Sequence, residues 1–187
     1  ADDPALPGEF RRQTEGLVFG ASADRQSEPN RFYHNKLDFS FKYPEGWSVS
    51  QGSRDITAMA DDGTASVSIT LSKLDAALTP QDFLASKASG DLTDTQAVEQ
   101  FGLLGSTAIA TTASASKRLA VIDHKYRFLF EAEARDLASQ DAQLLSIIKS
   151  FRPLAAREKV KGQSRTLHYI QVPRGATLES LATSAKI

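Results

Sequence analysis

Short runs that alternate apolar and polar side chains, separated by tight-turn sequences, constrain this chain more than any other feature. Residues 39–43 read FSFKY and residues 66–71 read SVSITL. A period of two places the apolar side chains on one face of a β-strand. The sequence PEG at 44–46 predicts a turn, and DDG at 61–63 predicts a hairpin turn between neighbouring strands. Residues 103–112 and 119–131 read as two further strands, and the polar stretch 91–102 as a loop.

Two helices are predicted between these strands. The first begins at Thr79, which can cap the helix, with Pro80 at the first helical position and Asp82 in the first turn, and it ends near Gly90. The second spans residues 136–151 and is followed by a proline at position 153. Its apolar residues fall at helical spacing and predict one buried stripe: Leu137, Leu144, Leu145, Ile148 and Phe151.

The order of these elements predicts an α+β fold, an antiparallel sheet covered by helices, with a small C-terminal strand-helix appendage. The chain begins at Ala1 and its single methionine is Met59, which indicates a processed product or a part of a longer chain. Four regions are predicted: an N-terminal helix and loop that lead from an upstream domain (1–30), the α+β domain (31–154), a basic linker (155–165) and a strand-helix end (166–187).

The sequence lacks the motifs that identify common catalytic sites. It has no cysteine, so thiolate metal sites, disulfides and cysteine nucleophiles are excluded. Its three histidines, His34, His124 and His168, are far apart and none is followed by Glu, so no HExxH zinc motif is present. No GxSxG, Walker or GxGxxG motif occurs. We therefore predict no catalytic, metal or cofactor residue in this chain, and no apolar run is long enough for a transmembrane segment.

Charge is unevenly distributed along the sequence. Residues 149–187 contain eight Lys/Arg and two acidic residues, whereas the rest contains fourteen basic and twenty-one acidic residues. Such a basic tail either meets an anionic surface or docks on the acidic body of the same chain. Since no aromatic residues alternate with the basic residues of 157–165, nucleic acid is not predicted as a partner.

Several phrases of the sequence resemble a known family. These are EGLVFG from Glu15, NRFYH ending at His34, and LDFSFKYPEGW ending at Trp47. They are similar to the segment after the catalytic domain in bacterial secreted zinc metallopeptidases of the HtpX-like and CAAX-prenyl-protease-like family (peptidase family M forty-eight). The resemblance implies a periplasmic or cell-envelope location and an upstream peptidase domain, which alone would hold zinc.

Two further resemblances concern parts of the chain. Residues 37–154 resemble PsbP-like domains in the FKYPEGW opening and the SFR close, which implies a sandwich around an antiparallel sheet and a role in binding or assembly. HYIQVPRGATLESLA, from His168, resembles the first half of a LysM glycan-binding motif. Trp47 and its aromatic neighbours form either a stacking surface for a ligand or part of the core. The candidate ligand-binding residues are therefore Trp47, His168, Arg174, Gly175 and Thr177.

Three hypotheses for function follow from these patterns. The first is a non-catalytic accessory C-terminal region of a periplasmic zinc metalloendopeptidase, which would hold a substrate, an envelope protein or cell-wall material near the peptidase domain. The second is a free-standing extracytoplasmic PsbP-like binding module. The third is a peptidoglycan-binding protein that acts through its basic tail and LysM-like end.

Overall fold

The computed structural model describes residues 28–159, together with two short strands at 18–19 and 165–166. The chain divides into two units, one of residues 27–159 and one of the flanking segments 1–26 and 160–187. In the flanking unit, strand β1 (Val18–Phe19) pairs antiparallel with strand β12 (Arg165–Thr166). The helix predicted within residues 1–30 lies outside the described residues, and so does the strand-helix end predicted at 166–187, apart from Thr166.

The larger unit contains two antiparallel sheets and two helices. The small sheet is formed by β2 (Arg31–His34), β3 (Phe39–Lys42) and β11 (Arg152–Pro153). The large sheet is formed by β4 (Trp47–Gln51), β5 (Asp55–Ala60), β6 (Ala65–Ser72), β7 (Asp91–Gln100), β8 (Leu103–Thr111), β9 (Ser116–Asp123) and β10 (Arg127–Ala134). Its spatial order is β4-β5-β6-β10-β9-β8-β7. The helices are α1 (Pro80–Lys87) and α2 (Leu137–Lys149). The α+β fold class predicted from the alternation is confirmed.

The large sheet has a helix on each face. In β9, Ala120 and Ile122 belong to the core beneath α2 and the small sheet, whereas Leu119 and Val121 pack on the side of α1. This split follows from the two-residue period of a strand. The main core is centred on buried phenylalanine rings, which lie 4.9–5.3 Å apart between centroids: Phe39, Phe128, Phe130 and Phe151. The aromatic residues at 39 and 41 are thus core residues.

Both helices begin close to where the sequence predicts. The Thr79 hydroxyl accepts a hydrogen bond from the Asp82 backbone N–H at 3.1 Å, which satisfies one free donor of the first turn of α1. Leu84 is the side chain that α1 buries. In α2 the buried side chains are Leu144, Ile147 and Ile148. Leu144, Ile148 and Phe151 of the predicted stripe are therefore buried, whereas Leu145 is only partly buried and Ile147 is buried in its place.

One loop prediction and one strand prediction are wrong. The polar stretch 91–102, predicted to be a loop, is mostly strand β7. This strand lies at the edge of the large sheet, and Val98 is its one buried residue, so its other side chains can be polar. The predicted single strand 119–131 is two strands joined by a turn, in which the His124 backbone N–H donates to the Tyr126 carbonyl at 2.9 Å. That turn contains no Gly, Pro or Asn to mark it in the sequence.

The first part of the predicted basic linker is ordered. Residues Ala156–Glu158 form a 3-10 turn in which Glu158 is buried. Its carboxylate receives two hydrogen bonds from Arg152, at 2.7 and 2.8 Å, and one from the Ala155 N–H at 2.7 Å. These contacts lower the pKa of Glu158 to about 2, with the Arg152 guanidinium as the largest cause.

Candidate functional site

The turns of the larger unit lie at two opposite ends of the large sheet, because all its neighbouring strands are antiparallel. One end, called the basic end, has four Lys/Arg and two acidic residues in its turns: 35–38, 52–54, 73–78, 101–102 and 124–126. The other, called the acidic end, has four acidic residues and one Arg: 43–46, 61–64, 88–90, 112–115 and 135–136.

A cleft of about 460 Å³ opens at the basic end, between turns 35–38 and 52–54. Three apolar side chains, Leu37, Ile56 and Leu71, line it together with polar groups. The volume and the mixed lining are typical of small-molecule sites. We call it the His34 cleft, with the lining His34, Lys36, Leu37, Gln51, Gly52, Ser53, Arg54, Asp55, Ile56 and Leu71.

The two turns that form the walls of the His34 cleft, 35–38 and 52–54, each depend on a residue that fits a particular backbone conformation. Asp38 closes the first turn in the left-handed region, at φ 60°, and its N–H donates to the Asn35 carbonyl at 3.2 Å. Aspartate tolerates this conformation better than most residues. In the second turn, the Gly52 N–H donates to the Asp55 carbonyl at 2.8 Å. A Cβ on Gly52 would contact the Asp55 carboxylate, so glycine is the residue that fits.

His34 is held neutral in this cleft. Burial lowers the pKa of His34, and the positive charge of Lys36 lowers it further. The Leu37 N–H donates to Nδ1 at 3.2 Å, which requires a lone pair on that nitrogen. The second ring nitrogen, Nε2, lies 3.2 Å from the Gln51 carboxamide nitrogen. The ring also stacks on Phe39 at 5.2 Å between centroids.

The cations of the cleft are free to bind a ligand. Lys36 and Arg54 are exposed, and neither forms a hydrogen bond or ion pair with the described residues. The single carboxylate of the lining belongs to Asp55 and accepts a hydrogen bond from Thr57 at 3.3 Å. With His34 neutral, the lining therefore carries a net positive charge beside an apolar floor.

Asp38, which lies beside the His34 cleft, forms ion pairs with two lysines. Its carboxylate lies 2.7 Å from Lys125 Nζ and 3.1 Å from Lys159 Nζ. Burial raises the pKa of Asp38, but the two lysines outweigh that effect and the net shift is downward. His124 Nε2 lies 3.1 Å from the Asp38 carbonyl oxygen. Asp38 therefore stays ionised and paired, which suits a structural role better than proton transfer.

A larger cavity of about 660 Å³ lies at the acidic end, beside the start of α2. Its charged lining residues are Arg135, Asp136 and Asp141. Asp141 is already engaged by Arg118, whose Nε lies 2.8 Å from Asp141 Oδ1 and whose Nη2 lies 2.8 Å from Asp94 Oδ2. We therefore take the smaller His34 cleft as the candidate site.

The residues proposed from the sequence are only partly placed by the structure. Trp47 pairs with Ala60 in the large sheet, is half-buried against the main core, and lies at the end of β4 away from the His34 cleft. The other four candidates lie outside the described residues: His168, Arg174, Gly175 and Thr177. Within residues 28–159, no three His, Asp or Glu side chains could together hold a metal ion. No helix in the described part of the chain is long and apolar enough to cross a membrane.

Sequence reasoning missed His34, Lys36 and Arg54 as a group. Each stands in or next to a turn, where a charged residue ordinarily indicates only solvent exposure. A usable signal did exist: the turns after β2 and after β4 each carry a cation two to three residues past a strand. Bringing them together depends on how the small sheet packs on the large one, and local patterns do not specify that packing.

Comparisons with known proteins define the fold. No protein-family model and no curated protein sequence matches the chain. The solution structure of cyanobacterial PsbP (CyanoP) from Synechocystis sp. PCC 6803 matches with a TM-score of 0.51 and 15% identity, covering 66% of this chain and 91% of that protein. The chain therefore has a PsbP-like fold, as the FKYPEGW and SFR phrases suggested.

Two weaker similarities were also found. A protein from Bacteroides thetaiotaomicron VPI-5482 matches with a TM-score of 0.44 and 13% identity, over 70% of this chain and 50% of that one. LpqN, involved in cell envelope biogenesis of Mycobacterium tuberculosis, matches with a TM-score of 0.39 and 14% identity, over 68% of this chain and 86% of that one.

Proposed function

We propose that this chain is a non-catalytic, extracytoplasmic binding module whose His34 cleft holds a small amphipathic anion. The observation that carries the proposal is a pair of cations, Lys36 and Arg54, which have no partner among the described residues and stand at the mouth of a cleft with an apolar floor. An anionic group would lie between these cations, and its apolar part would cover Leu37, Ile56 and Leu71.

The arrangement favours binding over catalysis. The His34 ring nitrogens face the Leu37 N–H and the Gln51 carboxamide, and the Asp55 carboxylate accepts a hydrogen bond from Thr57. Among the described residues, no hydrogen bond joins the Ser53 hydroxyl of the lining to His34 or Asp55, so no activated nucleophile is formed. The nearest buried carboxylate, Asp38, is neutralised by two lysines. A group that must abstract a proton needs free reach to its substrate, which these contacts deny.

Calorimetric titration of the full chain with octanoate tests this proposal, with octanol as the neutral analogue of equal chain length. We expect octanoate to bind and octanol to bind at least about tenfold more weakly, since the difference is one charge paired with two cations. The double variant Lys36→Gln/Arg54→Gln should lose the preference. Lys149→Gln/Arg157→Gln, which removes two exposed cations elsewhere, should keep it. Equal octanoate affinity in both double variants would refute the cleft as the site.

We further propose that the module serves a periplasmic zinc metallopeptidase as its accessory C-terminal region. This rests on the phrases EGLVFG, NRFYH and LDFSFKYPEGW, and it makes the upstream peptidase domain the first partner, with envelope proteins or peptidoglycan as further ones. Sequencing the gene upstream of Ala1 tests it. An HExxH-bearing domain in the same reading frame supports the proposal, whereas a signal peptide directly before Ala1 supports the free-standing binding module instead.

The LysM-like end provides the remaining alternative, peptidoglycan binding. Its support is the phrase VPRGATLESLA and the excess of basic residues in 149–187. Purified peptidoglycan should retain the full chain more strongly than a chain ending at residue 159. Equal retention of the two would exclude His168, Arg174, Gly175 and Thr177 as a glycan site.

A further inference from the structure

Exposed apolar side chains are concentrated at the basic end. Among the described residues, five large apolar side chains are exposed, and four of them stand in or beside turns of this end: Leu74, Phe101, Leu104 and Tyr126. The fifth, Met59, lies in β5 toward the other end. Phe101 and Leu104 are 61% and 62% exposed. Single exposed apolar residues are ordinary, but a group on neighbouring turns marks an interaction surface.

Phe101 occupies a backbone conformation that a bulky residue rarely adopts. It joins β7 to β8 with Gly102, and both residues have positive φ, 50° and 75°. Two-residue hairpin turns of this kind favour Asn-Gly, because the first position must enter the left-handed region. Phe101 is strained there and gains little burial within the larger unit in return. A contact outside that unit is the evident use for such a side chain.

Cations surround these apolar side chains. Lys36, Arg54, Lys73 and Lys125 are all exposed in the turns of the basic end. Two of the acidic residues close to them are already paired within the molecule. Asp38 binds Lys125 and Lys159, and Asp123 binds Arg127 at 2.7 Å.

We propose that the basic end docks on an anionic lipid surface. Phe101, Leu104, Tyr126 and Leu74 would enter the interfacial layer, and the lysines and arginine between them would contact lipid phosphates. Aromatic and leucine side chains beside flexible basic ones are the combination that binds peripheral proteins to anionic bilayers. The acidic end would then face away from the membrane. This surface goes beyond the His34 cleft, and its apolar residues take no part in lining the cleft.

The placement of the apolar groups favours a bilayer over a protein partner. They stand on three separate turns, 73–78, 101–102 and 124–126, together with the start of β8. Protein interfaces need a packed, complementary core, whereas a fluid interface accepts side chains that project independently.

Cosedimentation of the full chain with vesicles tests the proposal. One set contains phosphatidylcholine alone, and the other equal parts of phosphatidylcholine and phosphatidylglycerol. We expect binding to the mixed vesicles, weaker binding at high salt, and a roughly tenfold loss in Phe101→Asn/Leu104→Ser. Asparagine suits the turn at 101, so this variant should fold, as its thermal midpoint can show. Met59→Ser, which removes the exposed apolar residue outside the basic end, should bind like the wild type.

The charge contribution is tested separately with Lys73→Gln, which should bind mixed vesicles several-fold more weakly than the matched variant Lys87→Gln, which removes an exposed lysine at the last residue of α1. The basic tail is retained in every variant, so it cannot produce these differences. If the wild type binds neither vesicle type, the membrane proposal is wrong, and the exposed apolar residues of the basic end would instead contact a protein partner. If Phe101→Asn/Leu104→Ser and Met59→Ser bind equally, the basic end is not the docking surface.

Discussion

The two ends of the large sheet are built from opposite kinds of turn. At the acidic end, turn 61–64 has glycine at its left-handed position, Gly63 with φ 70°. The Asp62 carboxylate accepts hydrogen bonds from the Thr64 N–H and hydroxyl at 3.0 and 2.8 Å. At the basic end, the left-handed position of turn 101–102 holds exposed Phe101. In turn 61–64 the side chains stabilise the turn itself, whereas in turn 101–102 the Phe101 side chain is exposed to solvent.

Charges follow the same division. Arg118 is only 2% exposed and binds both Asp141 and Asp94, which joins β9, α2 and the edge strand β7. Lys36 and Arg54 at the basic end bind none of the described residues. A buried charge must be paired, whereas an exposed one costs little when left free. The difference separates the part of the molecule that holds the fold from the part available to ligands.

The largest expected effect is on stability, from Arg118→Met. The change leaves the Asp141 carboxylate, which is 22% exposed, without its partner, and we expect a loss of about 1.5–3 kcal/mol in the free energy of unfolding. The neighbouring variant Lys117→Met breaks a half-exposed ion pair with Glu131 and should cost under about 1 kcal/mol. Urea unfolding measures both. Similar losses in the two variants would show that Arg118 is not the structural anchor described.

Opposite signs are expected from changing the two turns. Gly63→Ala places a Cβ at φ 70° and should destabilise by about 1 kcal/mol. Phe101→Asn relieves the strained position and should stabilise by up to about 1 kcal/mol, even though it weakens vesicle binding. Thermal unfolding of the two variants gives the comparison directly. A destabilised Phe101→Asn protein would mean that the ring packs on the fold instead of serving an external contact.

Much of the fold could be predicted from the sequence because its determinants are local. The FSFKY and SVSITL runs predict β3 and β6, and Thr79-Pro80 predicts the start of α1, since alternation and capping involve residues a few positions apart. The edge strand β7 was not recognised because its exposed side chains need not be apolar. The turn at 124–126 was not recognised because the pairing of β9 with β10, rather than turn residues, fixes it.

The candidate site was much less predictable. The sequence leaves Trp47 as either a stacking residue or a core residue, and its position in β4 places it half-buried against the core. His34 appeared as an isolated histidine, and its relation to Arg54 arises only when the two sheets pack together. The strain at Phe101 is likewise a backbone property that the dipeptide Phe-Gly suggests weakly.

The smallest expected effect concerns pH, and it too distinguishes the basic end. The pKa of His34 is lowered on folding, chiefly by burial, so the unfolded chain binds a proton more readily than the folded chain. Stability should therefore decline as pH falls through about 6.5, the usual pKa of an unfolded-state histidine, and should level off below the lowered folded-state pKa. The contribution of Glu158 is separable because it is lost only as pH falls from 4.5 towards 2.

NMR titration of the His34 ring, with unfolding measured from pH 7.5 to 5, checks this expectation. Protonation would also remove the lone pair on Nδ1 that accepts from Leu37, so the turn 35–38 and octanoate binding should change over the same pH range. His34→Gln should lessen the pH dependence of stability in that range. If the variant keeps the full pH dependence of stability, another group is responsible for that dependence, and His34 is not.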